Sequence, residues 1–84
     1  MAFKAALTKR FQKELKKQTK NVRNRVYESM GEILSNPFSG VRLRGELEGL
    51  WRWRIGEHRI IYMIDSSRNL VVFLEVGPRR AIYE

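Results

Sequence analysis

Cysteine is absent from the chain. Without a thiol there is no disulfide framework and no thiolate metal site, so packing alone must hold the fold. Long apolar runs are missing too: none approaches the roughly 20 residues that span a bilayer. The opening stretch MAFKAALTKRF lacks an extended apolar segment and a small-residue cleavage site. These absences predict a cytoplasmic protein with no membrane partner and no secretory signal. Histidine occurs once, as His58, which excludes a ribonuclease mechanism built on two histidines. Acidic residues are few, and the nine carboxylates show no clustered spacing suited to a divalent metal. No cofactor is expected.

What is present is a globular composition, 43% hydrophobic and 11% aromatic, in 84 residues. That length gives one small domain, 1–84, in which every apolar residue counts toward a single core. Seventeen Lys and Arg against nine Asp and Glu leave a net charge of +8, a balance that suits an anionic polymer or an acidic partner protein. The basic residues are segregated. All lysines lie between Lys4 and Lys20, whereas every basic residue after Lys20 is an arginine. Lysine is a hydrated point charge and arginine a planar fork that matches phosphate. The lysine run, with Lys13, Lys16 and Lys17 at its centre, reads either as a solvated helix face or as a nucleic-acid contact surface.

Residues Ala2 to Leu7 read as a short strand, after which Thr8 can cap a helix carrying Phe11 and Leu15 on one face. A second helix starts near Asn21. Val22, Val26, Met30, Ile33 and Leu34 form its apolar stripe, and Asn36-Pro37 ends it, because the residue before proline avoids the helical region. From Val41 the pattern changes to strands: VRLRG, LWRWRI, HRIIYMI and LVVFLEV, with turn residues between them. The predicted fold class is α+β: an N-terminal strand and a helical hairpin packed on an antiparallel sheet, in the principal order β-α-α-β-β-β.

Strand alternation puts Trp51, Trp53 and Ile55 on one face and Arg52 and Arg54 on the other. Gly56-Glu57 is a two-residue loop with glycine first, which suits a type II′ hairpin pairing Ile55 with His58. Propagated, that register sets Arg54 opposite Arg59, Arg52 opposite Ile61, Trp53 opposite Ile60 and Trp51 opposite Tyr62. Three guanidinium groups then converge on one face. Like charges directly opposite destabilise a sheet, and forked arginine donors suit phosphate oxygens. The alternative is a solvated strand face whose arginine stems cover apolar surface. The aromatics fall on the opposite face, so Trp51, Trp53 and Tyr62 are expected in the core, with His58 structural or at the rim. Gly77-Pro78 ends the last strand, leaving Arg79, Arg80 and Tyr83 on a terminal segment that can fold back.

The runs Leu43-Arg44-Gly45, Gly49 through Tyr62, Val76-Gly77-Pro78-Arg79 and Ile82-Tyr83 together resemble the RelE/ParE toxin superfamily, and within it the RelE messenger-RNA interferases of archaea and bacteria. The likeness spans nearly the whole chain. It implies the toxin of a type II toxin–antitoxin system, a ribosome-dependent endoribonuclease that cuts messenger RNA in the decoding site and so inhibits translation. The implied partners are a RelB-like antitoxin, the ribosome and messenger RNA, with operator DNA reached by the toxin–antitoxin complex through the antitoxin. Arg52 and Arg54 match two basic positions that are often lysine in the family. Arg59 matches its strand arginine, Arg79 the arginine after the last strand, and Tyr83 the tyrosine near the C-terminus. These five are the catalytic candidates. Arg80, Arg44, Lys13, Lys16 and Lys17 are the RNA-binding candidates.

Metal-free cleavage needs a base on the ribose 2′-OH, positive charge around the phosphorane, and a proton for the departing oxygen. Arginine is protonated at any ordinary pH and is a poor base. With arginine at 52 and 54, a base role that a lysine there would play is lost or shifts to Tyr83, whose phenolate neighbouring guanidinium groups would favour. Two other readings keep the same fold: a ParE-like inhibitor of DNA gyrase without nuclease activity, and a non-catalytic RNA-binding module that grips the phosphate backbone.

Overall fold

The computed structural model describes residues 2–78. Its elements run β1 (Lys4–Leu7), α1 (Lys9–Lys16), α2 (Lys20–Ser35), β2 (Val41–Arg42), β3 (Leu50–Ile55), β4 (His58–Asp65) and β5 (Leu70–Pro78), with short 3-10 turns at Pro37–Ser39, Gly45–Leu47 and Ser66–Arg68. Each helix starts on a threonine. The Thr8 hydroxyl oxygen accepts from Phe11 N–H at 3.0 Å and that of Thr19 from Val22 N–H at 3.3 Å, so each cap satisfies an amide that the helix itself cannot. Asn36 ends α2 in a non-helical conformation, immediately before Pro37.

The α+β class is as expected and the short strand β2 extends the expected principal order to β-α-α-β-β-β-β, but the sheet is mixed rather than antiparallel. Its five strands are ordered β1-β5-β4-β3-β2. β2 through β5 form an antiparallel meander, whereas β1 lies parallel to β5, with Lys4 beside Leu70 and Leu7 beside Phe73. Residue alternation carries no strand direction. The helical hairpin between β1 and β2 lets β1 join the far edge of the meander rather than the edge formed by β2.

VRLRG contributes only Val41–Arg42 to the sheet. Leu43 N–H donates to Leu50 O at 2.9 Å, and the chain then turns at Gly45 and Gly49, both at positive φ.

One face of the sheet carries the core. Phe11 and Leu15 of α1 and Val26 and Ile33 of α2 pack on Ile55, Ile60, Tyr62, Val71, Phe73 and Val76, with Trp51 and Trp53 partly buried against them. At about 1.5–3 kcal/mol for each fully buried large apolar side chain, this single cluster supplies most of the stabilisation a domain of this size can gather. Tyr62 stacks beside Trp51, and its hydroxyl donates to Pro37 O at 2.8 Å, tying β4 to the turn after α2.

Candidate functional site

The β3–β4 hairpin positions the arginines. Gly56 takes φ +56° while Glu57 stays at negative φ, the combination a type II′ turn requires. The register follows: Ile55 pairs with His58, Arg54 with Arg59, Trp53 with Ile60, Arg52 with Ile61 and Trp51 with Tyr62. Arg52, Arg54 and Arg59 therefore share the face opposite the core, yet their environments differ. Arg54 is exposed and Arg52 half-buried. Arg59, on a central strand between β3 and β5, is only 1% exposed. Ile61, on the same face, is buried as well, so this face is not the uniformly solvated surface that alternation alone suggests.

Arg59 lines a cleft of about 280 Å³ at the seam between α1 and the end of β5. Arg10, Glu14, Lys17 and Gln18 form the α1 wall, with Ile61, Glu75 and Gly77 opposite. Arg10, Glu14 and Lys17 follow at the three- and four-residue steps that place side chains on one helix face. Arg10 links the two carboxylates, its Nε 3.1 Å from Glu14 and a terminal nitrogen 3.2 Å from Glu75. The second oxygen of Glu14 accepts from the backbone N–H of Val76 at 3.0 Å. The described lining thus holds three cations and two carboxylates, a small positive excess that suits one anionic group.

Sequence reasoning missed Arg10, Glu14 and Glu75. The Arg10–Glu14 spacing is an ordinary helix pair. Glu75 is a single acidic residue inside an apolar strand, a detectable signal because such a residue is seldom buried without a partner.

The other candidates are dispersed. Lys17 reaches the cleft, while Lys13 and Lys16 stand exposed on α1. Arg44 lines a separate cavity of about 330 Å³ with Arg42, Leu43, Gly45 and Glu48, beyond β3 near the β2 edge. Arg79, Arg80 and Tyr83 lie outside the described residues. Tyr62 is a core residue: burial pushes its phenol up to about 12, against the opposing pull of a hydrogen bond to the Gly40 backbone, so it keeps its proton at neutral pH.

A sequence model of the ParE toxin family of type II toxin–antitoxin systems, parDE, matches residues 5–83. The chain belongs to the RelE/ParE toxin superfamily. Toxin RelE of Mycobacterium tuberculosis is 39% identical over 54 residues, which are 63% of this chain and 56% of that protein, so the match spans little more than half of the relative's length. The crystal structure of the RelBE2 toxin–antitoxin complex from the same organism contains a chain that superposes with a TM-score of 0.88 at 29% identity, covering 96% of this chain and 95% of that one. The archaeal RelE–RelB complex from Pyrococcus horikoshii gives 0.77 at 25% identity, covering 96% of this chain and all of its counterpart. Within the described residues, the RelE/ParE fold unites Arg59 with the α1 wall and sets Arg54 directly opposite it. Arg44 is left two strands away.

Proposed function

We propose that this protein is the toxin of a RelBE-type pair and acts as a metal-independent endoribonuclease on messenger RNA in the ribosomal A site. The observation that carries the reading is Arg59: a guanidinium 1% exposed, opposite Arg54, in a cleft also lined by Lys17. A guanidinium so enclosed is held in a fixed orientation beside two further cations and two carboxylates, and arginines convergent on one face are suited to charge developing on a phosphate.

The ribose 2′-OH gives its proton to the Tyr83 phenolate, and the 2′ oxygen attacks the adjacent phosphorus. The bond to the 5′ oxygen breaks and that oxygen takes up a proton from water, leaving a 2′,3′-cyclic phosphate. Arg52, Arg54, Arg59 and Arg79 meet the negative charge as it grows, and Arg80, Arg44, Lys13, Lys16 and Lys17 share the backbone contacts. The ribosome holds the message in the reactive geometry. A RelB-like antitoxin masks the arginine face, its acidic residues drawn quickly to a chain of net charge +8, and it carries the complex to operator DNA.

Single-turnover cleavage on programmed ribosomes tests the reading. Arg79→Ala should lose about a hundredfold or more in rate, and Arg59→Lys and Tyr83→Phe should also be impaired, with ribosome binding little changed because many basic residues share it. Near-parent cleavage by Arg79→Ala would remove that arginine from the mechanism. A parent protein that leaves message intact would overturn the nuclease reading as a whole.

A further inference from the structure

We infer that Glu14 is a positioning residue for Arg59, holding the end of β5 where no strand among the described residues pairs with its outer edge. The inference rests on the nuclease reading above. β1 pairs with β5 only as far as Leu7 beside Phe73. Beyond that point the chain leaves the sheet: Thr8 N–H donates to Phe73 O at 3.1 Å, the Thr8 hydroxyl donates to Leu74 O at 3.1 Å, and α1 begins. No strand among the described residues lies along the outer edge of β5 from Glu75 onward. Its amide at Val76, a residue 2% exposed, is met instead by the Glu14 carboxylate at 3.0 Å. A buried N–H left without an acceptor is strongly disfavoured, so this bond satisfies the outward-facing amide that the β4–β5 ladder does not reach and adds a second hold on the end of β5.

That end of β5 is also the support of Arg59. Val76 pairs with Ile60 and Gly77 with Arg59 across the β4–β5 ladder. A register shift between Ile61 and Tyr62 interrupts the ladder just before these pairs. Such irregularities bend a strand and increase its local twist, which leaves the terminal pairs more dependent on an external hold. Glu14 is itself fixed by Arg10, which also binds Glu75 in the same cleft. Misplacing a catalytic donor by about 1 Å can cost on the order of a hundredfold in rate. Glu14 touches no substrate in this account and acts through the backbone.

Reach and charge are separable at this position. Glu14→Gln keeps the length and an oxygen acceptor but loses the charge. Glu14→Asp keeps the charge, but one methylene less draws its oxygens away from the Val76 N–H. Single-turnover cleavage at saturating ribosomes should stay within about threefold of the parent for Glu14→Gln and fall at least tenfold for Glu14→Asp, with ribosome affinity unchanged in both. Amide exchange at Val76 should accelerate in Glu14→Asp and not in Glu14→Gln. A merely electrostatic role would give the reverse order. Equal activity of the two variants, or a slow Glu14→Gln with a protected Val76 amide, would overturn the inference. If the parent cuts no message, the nuclease reading fails and the catalytic claim with it, while Val76 exchange still reports whether the clamp exists.

Discussion

Tyr62 is a core residue in the sequence pattern and in the fold alike. It lies in an Arg-x-x-Tyr pattern beside the arginine strand, but strand parity turns it toward the tryptophans, where it is fully buried. Gly40 makes this possible, since a Cβ there would collide with the Tyr62 hydroxyl. Tyr62→Phe strands the Pro37 carbonyl and should cost about 1–3 kcal/mol at neutral pH. The pH dependence has a defined sign. Burial raises the folded-state phenol to about 12 from its ordinary 10, so the stabilisation is complete below about pH 10 and is lost as pH climbs toward 12. Melting temperatures between pH 8 and 12 should fall more steeply for the parent than for Tyr62→Phe, and superimposable alkaline slopes would refute the assignment. At this scale the position of Arg59 opposite Arg54 was legible from parity, whereas its burial was not, because the α1 wall is remote in sequence.

The β3–β4 hairpin is the element on which the arginine register depends. Its two-residue turn needs a first residue with positive φ, and Gly56 supplies it at +56°. Alanine there meets the left-handed penalty of about 1–2 kcal/mol, and asparagine, which visits that region more readily, should lose less. In a domain of this size each kcal/mol moves Tm by roughly 4–8 °C. The expected order of melting temperature is therefore parent, Gly56→Asn, Gly56→Ala. An alanine variant as stable as the parent would mean that the turn tolerates another geometry. The start of α1 was readable from Thr8, since capping is local chemistry, whereas the Thr19 cap of α2 lies two residues before the start expected near Asn21. The truncation of VRLRG to two strand residues was not, because it depends on where Leu50 returns to accept the Leu43 amide.

For the whole molecule, the charge of +8 lies on a member of the RelE/ParE toxin superfamily, and the proposed nuclease function sets the expected effect on a cell. Expression without an antitoxin should arrest growth through translation. Incorporation of labelled amino acid should fall before incorporation of labelled thymidine, and cleavage on isolated ribosomes should survive brief chelation once magnesium is restored for the ribosome. Early loss of DNA synthesis with translation intact would favour the gyrase-directed reading instead.

The sequence by itself determined the α+β class, both helices with the threonine cap of the first, the II′ hairpin and, through it, which residues share each sheet face. All of these follow from short-range rules: periodicity of two or 3.6, proline and glycine conformations, and side-chain capping. Only the tertiary structure decided that β1 runs parallel to β5, that Arg59 is buried while Arg54 is exposed, and that Arg10, Glu14 and Glu75 join one cleft. Those outcomes depend on α1 crossing the end of β5, where Val76 lies 62 residues from the carboxylate that meets its amide. Local pattern cannot encode a contact whose partners are brought together by the closing of the whole sheet.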